Sequence, residues 1–241
     1  MNQSEPSVCA VCLYADRPHF VQRMLRSFHE QTYRNKRLLI VANGLAPCLS
    51  DFSDRNGHSI LDICEFATVA KPGLRSIGEL RNEANAFAGT DIIAHWDSDD
   101  WSHPNRLAEQ VALLTASYPD RPPEAVSYNE MLFWDTSPGQ FCGAWLYRSP
   151  NPLCPIGTSL AYWRRSWEKQ PFANRNIGED LEWWSRVRGV MASSMRARAW
   201  EAPRMIAAIH GGNTVPNPIN PESREWKRVP EWDSYCRGVM A

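Results

Sequence analysis

Three aspartates stand within four residues in the segment Asp97–Asp100, which reads Asp-Ser-Asp-Asp. They follow the short apolar run Ile92–Ala94, which is typical of a buried strand. Carboxylates this close repel one another, and burying them without a partner is costly. Water in an ordinary turn would solvate them, or a divalent cation with oxygen ligands would hold them. The spacing alone therefore leaves two alternatives, a solvated turn and a metal site.

The bulk composition is that of an ordinary globular protein. The chain has 241 residues, of which 43% are hydrophobic and 22% charged, and its net charge is -1. A charge this close to zero gives no reason to expect nucleic acid or an anionic membrane as a partner. No apolar run approaches the roughly 20 residues that cross a bilayer. Because the first residues lack the basic and then apolar pattern of a secretory signal, we expect a cytoplasmic protein.

The seven cysteines are scattered along the chain. Cys9 and Cys12 form a Cys-x-x-Cys pair, but they fall within a predicted buried strand. Because no second pair stands at zinc-finger spacing, we expect reduced thiols in the core.

Strands and helices alternate in the first half of the chain. Apolar runs predict strands at Val8–Tyr14, Leu38–Val41, Asp62–Val69 and Asp91–Trp96. Helices are predicted from an Asp16 cap to about Gln31, from a Ser76 cap to Gly89, and from a Ser102 cap to Tyr118. This alternation predicts an α/β fold with a parallel, doubly wound sheet.

Polar side chains follow three of these strands. They are the segment Tyr14–Arg17, Asn43, and the acidic segment Asp97–Asp100. In open α/β sheets ligands bind outside the carboxyl ends of the strands. The sequence therefore predicts one binding site at this edge of the sheet.

The second half is richer in short strands. They are predicted at Ala125–Asn129, Met131–Trp134, Phe141–Tyr147, Gly157–Trp163 and Arg204–Ile209. The segment Ser137–Gly139 has the residues of a hairpin turn. A helix is predicted at Gly178–Arg186, and it opens with two acids. The proline-containing tail from Val215 onward is expected to cover the domain.

Four motifs in this order resemble the family 2 glycosyltransferases, which have the GT-A fold. They are Tyr14–Pro18 with the helix ending Ser27–Gln31, then Gly78–Asn82 leading to Asp97–Asp100, then Gly178–Asp180, and then His210–Thr214. The resemblance implies a Rossmann-like single domain over residues 1–214, with a central, mostly parallel sheet flanked by helices and a small antiparallel hairpin region. Its nucleotide-sugar half would span about 7–120 and its acceptor half about 121–214, followed by a tail at 215–241.

The resemblance also implies a divalent metal, Mn²⁺ or Mg²⁺, on the acidic segment. Asp99 would be the direct ligand, and Asp97 would face the ribose or a metal-bound water. His210 would complete the metal shell, although a single histidine is also often structural. Asp100 would either join the cluster or cap the following helix.

The donor implied by the resemblance is a nucleotide-diphosphate sugar, with a UDP-sugar expected. The residues expected to contact it are Tyr14, Asp16, Arg17, Asn43, Arg81, Asp97 and Ser98. Many relatives have Asp at the position of Asn43 and Thr-Tyr at Tyr14-Ala15, so the identity of the base stays open. Arg81 would pair with the diphosphate or with the acidic segment, and a solvated helix arginine is the alternative.

Asp180 is the implied general base, because an acceptor hydroxyl is a poor nucleophile until a carboxylate takes its proton. Glu179 would orient Asp180 or bind the acceptor. The alternative is that both acids only favour the helix dipole at a helix start. Four tryptophans on the acceptor side, suited to sugar stacking or to the core, are Trp145, Trp163, Trp183 and Trp184.

The expected activity is transfer of a hexose to an acceptor hydroxyl, with inversion. The acceptor would be a carbohydrate, a lipid-linked molecule or a protein, and peripheral association with a membrane is compatible with this activity. One alternative is a sugar-phosphate nucleotidyltransferase, but that class favours a glycine-rich loop and the segment Tyr14–His19 has no glycine. The other is an inactive sugar- or nucleotide-binding relative, against which the full set of acids argues.

Overall fold

A computed structural model of the protein describes residues 5–14, 17–42, 64–68, 75–118, 121–139, 141–151, 154–195, 202–213 and 218–241. For 64–68 and for residue 193 it describes the backbone alone. Two predicted site residues, Asp16 and Asn43, lie outside these ranges.

The described strands form one large sheet. In chain order they are β1 Val8–Tyr14, β2 Lys36–Ala42, β3 Cys64–Thr68, β4 Ile92–His95, β5 Trp101–Ser102, β6 Ala125–Asp135, β7 Gly143–Arg148, β8 Ala161–Trp163, β9 Gly189–Ser193, β10 Met205–Ile209 and β11 Trp226–Arg228. The main path runs β11-β7-β6-β8-β4-β1-β2-β3. Strands β3, β2, β1 and β4 are mutually parallel, which confirms the predicted parallel first half.

Six α-helices accompany the described part of the sheet. They are α1 Pro18–His29, α2 Ile77–Ala88, α3 Arg106–Thr115, α4 Arg164–Lys169, α5 Glu179–Trp184 and α6 Asp233–Met240. Helix α1 packs with the even-numbered residues of β1, and α2 packs with the odd-numbered ones. Because successive side chains of a strand point to opposite faces, the helices cover both faces of the sheet. For the same reason the buried residues Cys9 and Cys12 lie on opposite faces of the sheet and form no joint site.

The start of α2 has the predicted capping box. The Ser76 hydroxyl accepts a hydrogen bond from the backbone N–H of Glu79 at 3.2 Å. The Glu79 carboxylate accepts in return from the backbone N–H of Ser76 at 2.8 Å and from the Ser76 hydroxyl at 2.9 Å. These hydrogen bonds lower the pKa of Glu79. At the other end Gly89 takes a left-handed conformation, φ 53°, that favours glycine.

We expect Ser76→Ala to lower the free energy of unfolding by about 1 kcal/mol, because it removes one half of the capping box. Chemical denaturation measures this change, and Ser234→Ala on the exposed side of α6 is the control.

The depressed pKa of Glu79 means that its ionised carboxylate stabilises the fold at pH values above the ordinary pKa of 4.5 and loses this effect as the pH falls. A deficit that does not shrink on acidification would contradict this account.

The second half departs from the prediction at two places. Residues 125–135 form the single strand β6, not two strands. Its first part pairs with β9, with a register shift between Tyr128 and Glu130, and its second part pairs with β7 from Glu130 onward. The segment predicted as one strand at Gly157–Trp163 is a 3-10 turn, Gly157–Ser159, followed by β8. In that turn Ser159 accepts from the backbone N–H of Tyr128 at 2.8 Å, a contact between distant parts of the chain. Strands β6 and β7 are antiparallel, which confirms the hairpin.

Ser102 does not cap α3 as predicted. It belongs to the two-residue strand β5, which pairs antiparallel with β10, and α3 begins after Asn105. The helix also ends earlier than predicted, at Thr115. Pairing with a strand about a hundred residues later in the chain therefore outweighs the local capping pattern.

The described part of the tail, 218–241, joins the same sheet. Strand β11 pairs antiparallel with β7, and α6 follows it. Arg23 of α1 donates to the backbone carbonyl of Met240, which ties the end of α6 to the first half of the chain. None of the helices in the described ranges is long and apolar enough to cross a membrane.

Candidate active site

A cavity of about 390 Å³ opens at the carboxyl ends of β1, β4 and β10 and at the start of α5. This volume is within the usual range for small-molecule sites. Predicted site residues that line it are Tyr14, Arg17, Arg81, Asp97, Ser98, Asp99, Asp100, Glu179 and Asp180. The structure therefore brings together segments that lie more than 160 positions apart in the sequence, at the edge where ligands of α/β sheets bind.

The acidic turn Asp97–Asp100 is packed into the protein. The Asp100 carboxylate accepts from the backbone N–H of Ala208 at 3.1 Å and from the hydroxyl of Thr158. It does not cap α3, so that alternative is wrong. Burial, and the neighbouring charges of Asp99 and Asp97, hold the pKa of Asp100 well above its usual range. Asp100 thus joins β10 to the acidic turn.

Arg106 lies directly behind the acidic turn and is fully buried. It donates to the Ser102 hydroxyl at 2.9 Å, to the His95 carbonyl at 2.7 Å and to the Thr158 carbonyl at 3.1 Å. Its guanidinium lies 4.8 Å from the ring centroid of Trp96, within cation–π range. Burial lowers its pKa to about 10, so it stays charged at neutral pH. The positive charge of Arg106 partly compensates the negative charges of Asp97 and Asp100. Nothing in the local sequence pattern indicates that Arg106 is buried.

Asp99 is contacted by two side chains from other parts of the chain. Its Oδ2 atom accepts from Arg17 Nη1 at 3.0 Å and lies 3.0 Å from His210 Nε2. Arg23 holds the backbone of the same residue by donating to the Asp99 carbonyl at 2.6 Å. The predicted pairing of Asp99 with His210 is thus present in the structure as a contact between side chains.

The negative charge of the acidic turn favours the binding of a divalent cation. Burial and the charges of neighbouring carboxylates raise the pKa of both Asp97 and Asp100, so a cation here would relieve unfavourable negative charge. Among the described residues no three acidic, histidine or cysteine side chains converge as a ready-made metal site. Asp99, with Asp97 beside it, could supply carboxylate oxygens to a divalent cation, which would need further ligands.

His210 fits the same cation only after a change of tautomer. The backbone N–H of Gly212 donates to His210 Nδ1 at 3.0 Å, so this nitrogen carries no proton. The proton of the neutral ring is then on Nε2 and is donated to Asp99. Metal-bound histidines usually donate through the nitrogen that does not hold the metal. For His210 to bind a metal through Nε2, its proton would have to move to Nδ1 and the Gly212 amide would have to turn away.

Arg81 connects the acidic turn to α5. Its Nε donates to Glu179 Oε1 at 3.0 Å, and both side chains are buried. Burial alone would lower the pKa of Arg81, but the carboxylates of Asp97, Glu179 and Asp180 raise it. Its Nη1 atom is buried and has no hydrogen-bond partner in the described part of the protein. The predicted alternative of a solvated helix arginine is therefore wrong, because Arg81 is buried and paired with Glu179.

Asp180 lies at the start of α5 and lines the cavity. One carboxylate oxygen accepts from the backbone N–H of Leu181 at 2.8 Å. The other lies against Gly157, where an added Cβ would fall only 1.6 Å from Asp180 Oδ2. Gly157 thus makes room for this carboxylate, a role that sequence reasoning missed because the segment was interpreted as a strand.

The four tryptophans considered for sugar stacking do not line this cavity. Trp145, Trp183 and Trp184 are buried, and Trp163 packs against Arg165. The side chains exposed beside Asp180 are instead aliphatic, with Ile177 at 65% and Leu181 at 45%. The described surface next to the predicted base is therefore apolar and not aromatic.

Comparisons with known proteins give a fold but no family. No family model matches the sequence, and no curated protein matches it. A mannosyltransferase from Pyrobaculum calidifontis, solved with GDP-Man and Mn²⁺, is similar with a TM-score of 0.56 and 15% identity over 79% of this chain and 56% of that one. S. aureus TarS residues 1–349 with UDP-GlcNAc is similar with a TM-score of 0.60 and 10% identity over 90% of this chain and 62% of that one.

These likenesses confirm the expected fold class, a mixed α/β domain of GT-A type with a central, mostly parallel sheet flanked by helices. The chain spans about three-fifths of the length of these solved proteins. At identities this low the likeness is one of fold, and the function has to be argued from the site.

Proposed function

We propose that this protein is a family 2 glycosyltransferase that moves a sugar from a nucleotide-diphosphate donor to an acceptor hydroxyl. The observation that carries the proposal is that a single cavity is lined by the acidic turn, by Arg81 and by Asp180. The structural neighbours support it, because a mannosyltransferase with this fold was solved with GDP-Man and Mn²⁺.

In the proposed reaction Asp180 takes the proton of the acceptor hydroxyl. The acceptor oxygen forms a bond to the anomeric carbon as the bond from that carbon to the diphosphate breaks. Attack from the side opposite the leaving group would invert the anomeric centre. Arg81 holds Glu179 through the ion pair between them. A divalent cation held by Asp99, with Asp97 and His210, would stabilise the charge on the departing diphosphate.

The nucleotide would lie against Tyr14 and Arg17, at the carboxyl end of β1 and the start of α1. The apolar surface of Ile177 and Leu181 would contact the acceptor beside Asp180. This surface is suited to an acceptor that carries an apolar group next to the reacting hydroxyl.

A thermal-shift panel of UDP, GDP and their sugars, with and without Mn²⁺, tests the proposal. A donor at a hundred times its Kd adds about 2.7 kcal/mol to the stability of the native protein. For a domain of this size we expect the melting temperature to rise by about 5–10 °C. The shift should require Mn²⁺ and should be lost in Asp99→Asn. If no nucleotide or nucleotide sugar shifts the melting temperature under either condition, the proposed function is wrong.

A further inference from the structure

Asp99 and three residues around it form a closed ring of hydrogen bonds. Arg17 Nη1 and His210 Nε2 both contact Asp99 Oδ2, each at 3.0 Å. Gly212 joins the other two residues, because its N–H donates to His210 Nδ1 and its carbonyl accepts from Arg17 Nη2. We call this arrangement the Asp99 ring. In this ring the Asp99 carboxylate is hydrogen-bonded to side chains of the same protein.

From this ring we infer that Arg17 is a built-in counter-cation, which neutralises Asp99 while no donor is bound and moves to the donor's diphosphate when a divalent cation takes its place. The inference rests on the proposed function. Beyond that function, it assigns a role to Arg17 and explains why the metal and the nucleotide would bind together.

Arg17 is the member of the ring that can leave most easily. Its side chain is 23% exposed, against 10% for Asp99 and 14% for His210. It lines the cavity and precedes α1, so it can move without disturbing the core. Among the other arginines near the turn, Arg81 and Arg106 are buried and hydrogen-bonded. Arg23 donates to the backbone carbonyls of Asp99 and Met240.

Arg17 and a metal ion compete for the same oxygen atom. A cation bound at Asp99 Oδ2 would lie where the guanidinium nitrogen now lies, and the two positive charges would repel each other. Once displaced, the guanidinium needs a new anion. A diphosphate on the incoming cation is adjacent, and its oxygens match the planar fork of arginine.

The same exchange releases His210. When Arg17 leaves, Gly212 loses one of its two contacts to the ring, and the Gly212 amide is free to turn away from His210 Nδ1. The histidine can then carry its proton on Nδ1 and present Nε2 to the metal. Opening the ring therefore exposes the two predicted ligands, Asp99 and His210, in one step.

Calorimetric titration of Mn²⁺ alone, and of UDP and GDP in saturating Mn²⁺, tests the inference on wild type and Arg17→Met. We expect the variant to bind Mn²⁺ alone about tenfold more tightly, because a competing cation has been removed. It should bind UDP or GDP at least about tenfold more weakly, because a charged phosphate contact is lost. Arg26→Met, which removes an exposed arginine of the same helix, should match wild type in both titrations.

The outcomes separate this inference from the proposed function. Mn²⁺ affinity that is unchanged or weaker in Arg17→Met would show that Arg17 does not compete with metal. Unchanged nucleotide affinity would show that it does not move to the diphosphate, and either result overturns the inference alone. If wild type and variant bind neither Mn²⁺ nor nucleotide, the proposed function fails and the inference with it.

Discussion

Replacing Asp180 by asparagine is expected to lower the rate of sugar transfer by about 10²–10⁴-fold while donor binding survives. An amide has nearly the size of a carboxylate, but it cannot take the proton of an acceptor hydroxyl. The affinity for nucleotide should stay within about twofold, because the donor contacts lie on the acidic turn and on Arg17. Initial rates with a fixed donor, compared with calorimetric nucleotide binding, measure the two quantities separately.

Two further variants sharpen this prediction. Glu182→Gln changes an acid of the same helix that pairs with Arg186 at 2.9 Å on the outer side, and it should transfer sugar at the wild-type rate. Gly157→Ala leaves every acid in place but puts a Cβ on top of the Asp180 carboxylate. It should lower the rate and spare nucleotide binding, as Asp180→Asn does. If Asp180→Asn keeps the wild-type rate, Asp180 is not the base.

Local patterns in the sequence predict the first half of the fold well. Strand β1 has the predicted bounds, and the capping box at Ser76 and the glycine at 89 bound α2 as expected. These features depend on residues that are neighbours in the chain, so their signals are complete within a short window. The meeting of the acidic turn with Tyr14 and Arg17 also follows from a general rule, that sites form at the carboxyl ends of parallel strands. The position of Asp180 does not follow from this rule, because Asp180 lies at the start of α5 and was implied only by the family resemblance.

The parts that the sequence did not predict depend on contacts between distant segments. The turn at Gly157–Ser159 is held by Tyr128, and β5 exists because it pairs with β10. Arg106 is typical in its sequence context of a solvated helix residue, yet the fold buries it. Tertiary contacts outweigh local preference at each of these places, and each lies beside the cavity.

The buried position of Arg106 leads to the largest expected effect on stability. We expect Arg106→Met to lower the free energy of unfolding by about 3–5 kcal/mol, because it removes a buried positive charge and leaves the nearby carboxylates without it. The carbonyls of His95 and Thr158 would lose their donor, and Asp97 and Asp100 would lose a nearby positive charge. Denaturant unfolding measures the change. The control Arg186→Met removes a surface pair and should cost no more than about 1 kcal/mol.

A second substitution separates charge from packing in this effect. Asp100→Asn removes one of the carboxylates that Arg106 opposes and keeps an oxygen that can accept from Ala208. If charge compensation dominates, the double variant Arg106→Met with Asp100→Asn should be more stable than the sum of the single changes predicts, by about 1 kcal/mol or more. If the single costs simply add, the lost hydrogen bonds of Arg106 explain its effect. Additive costs would mean that Arg106 stabilises the protein mainly through its hydrogen bonds to β4 and to the Gly157–Ser159 turn. Non-additive costs would mean that its positive charge compensates the three carboxylates of the acidic turn before any donor binds.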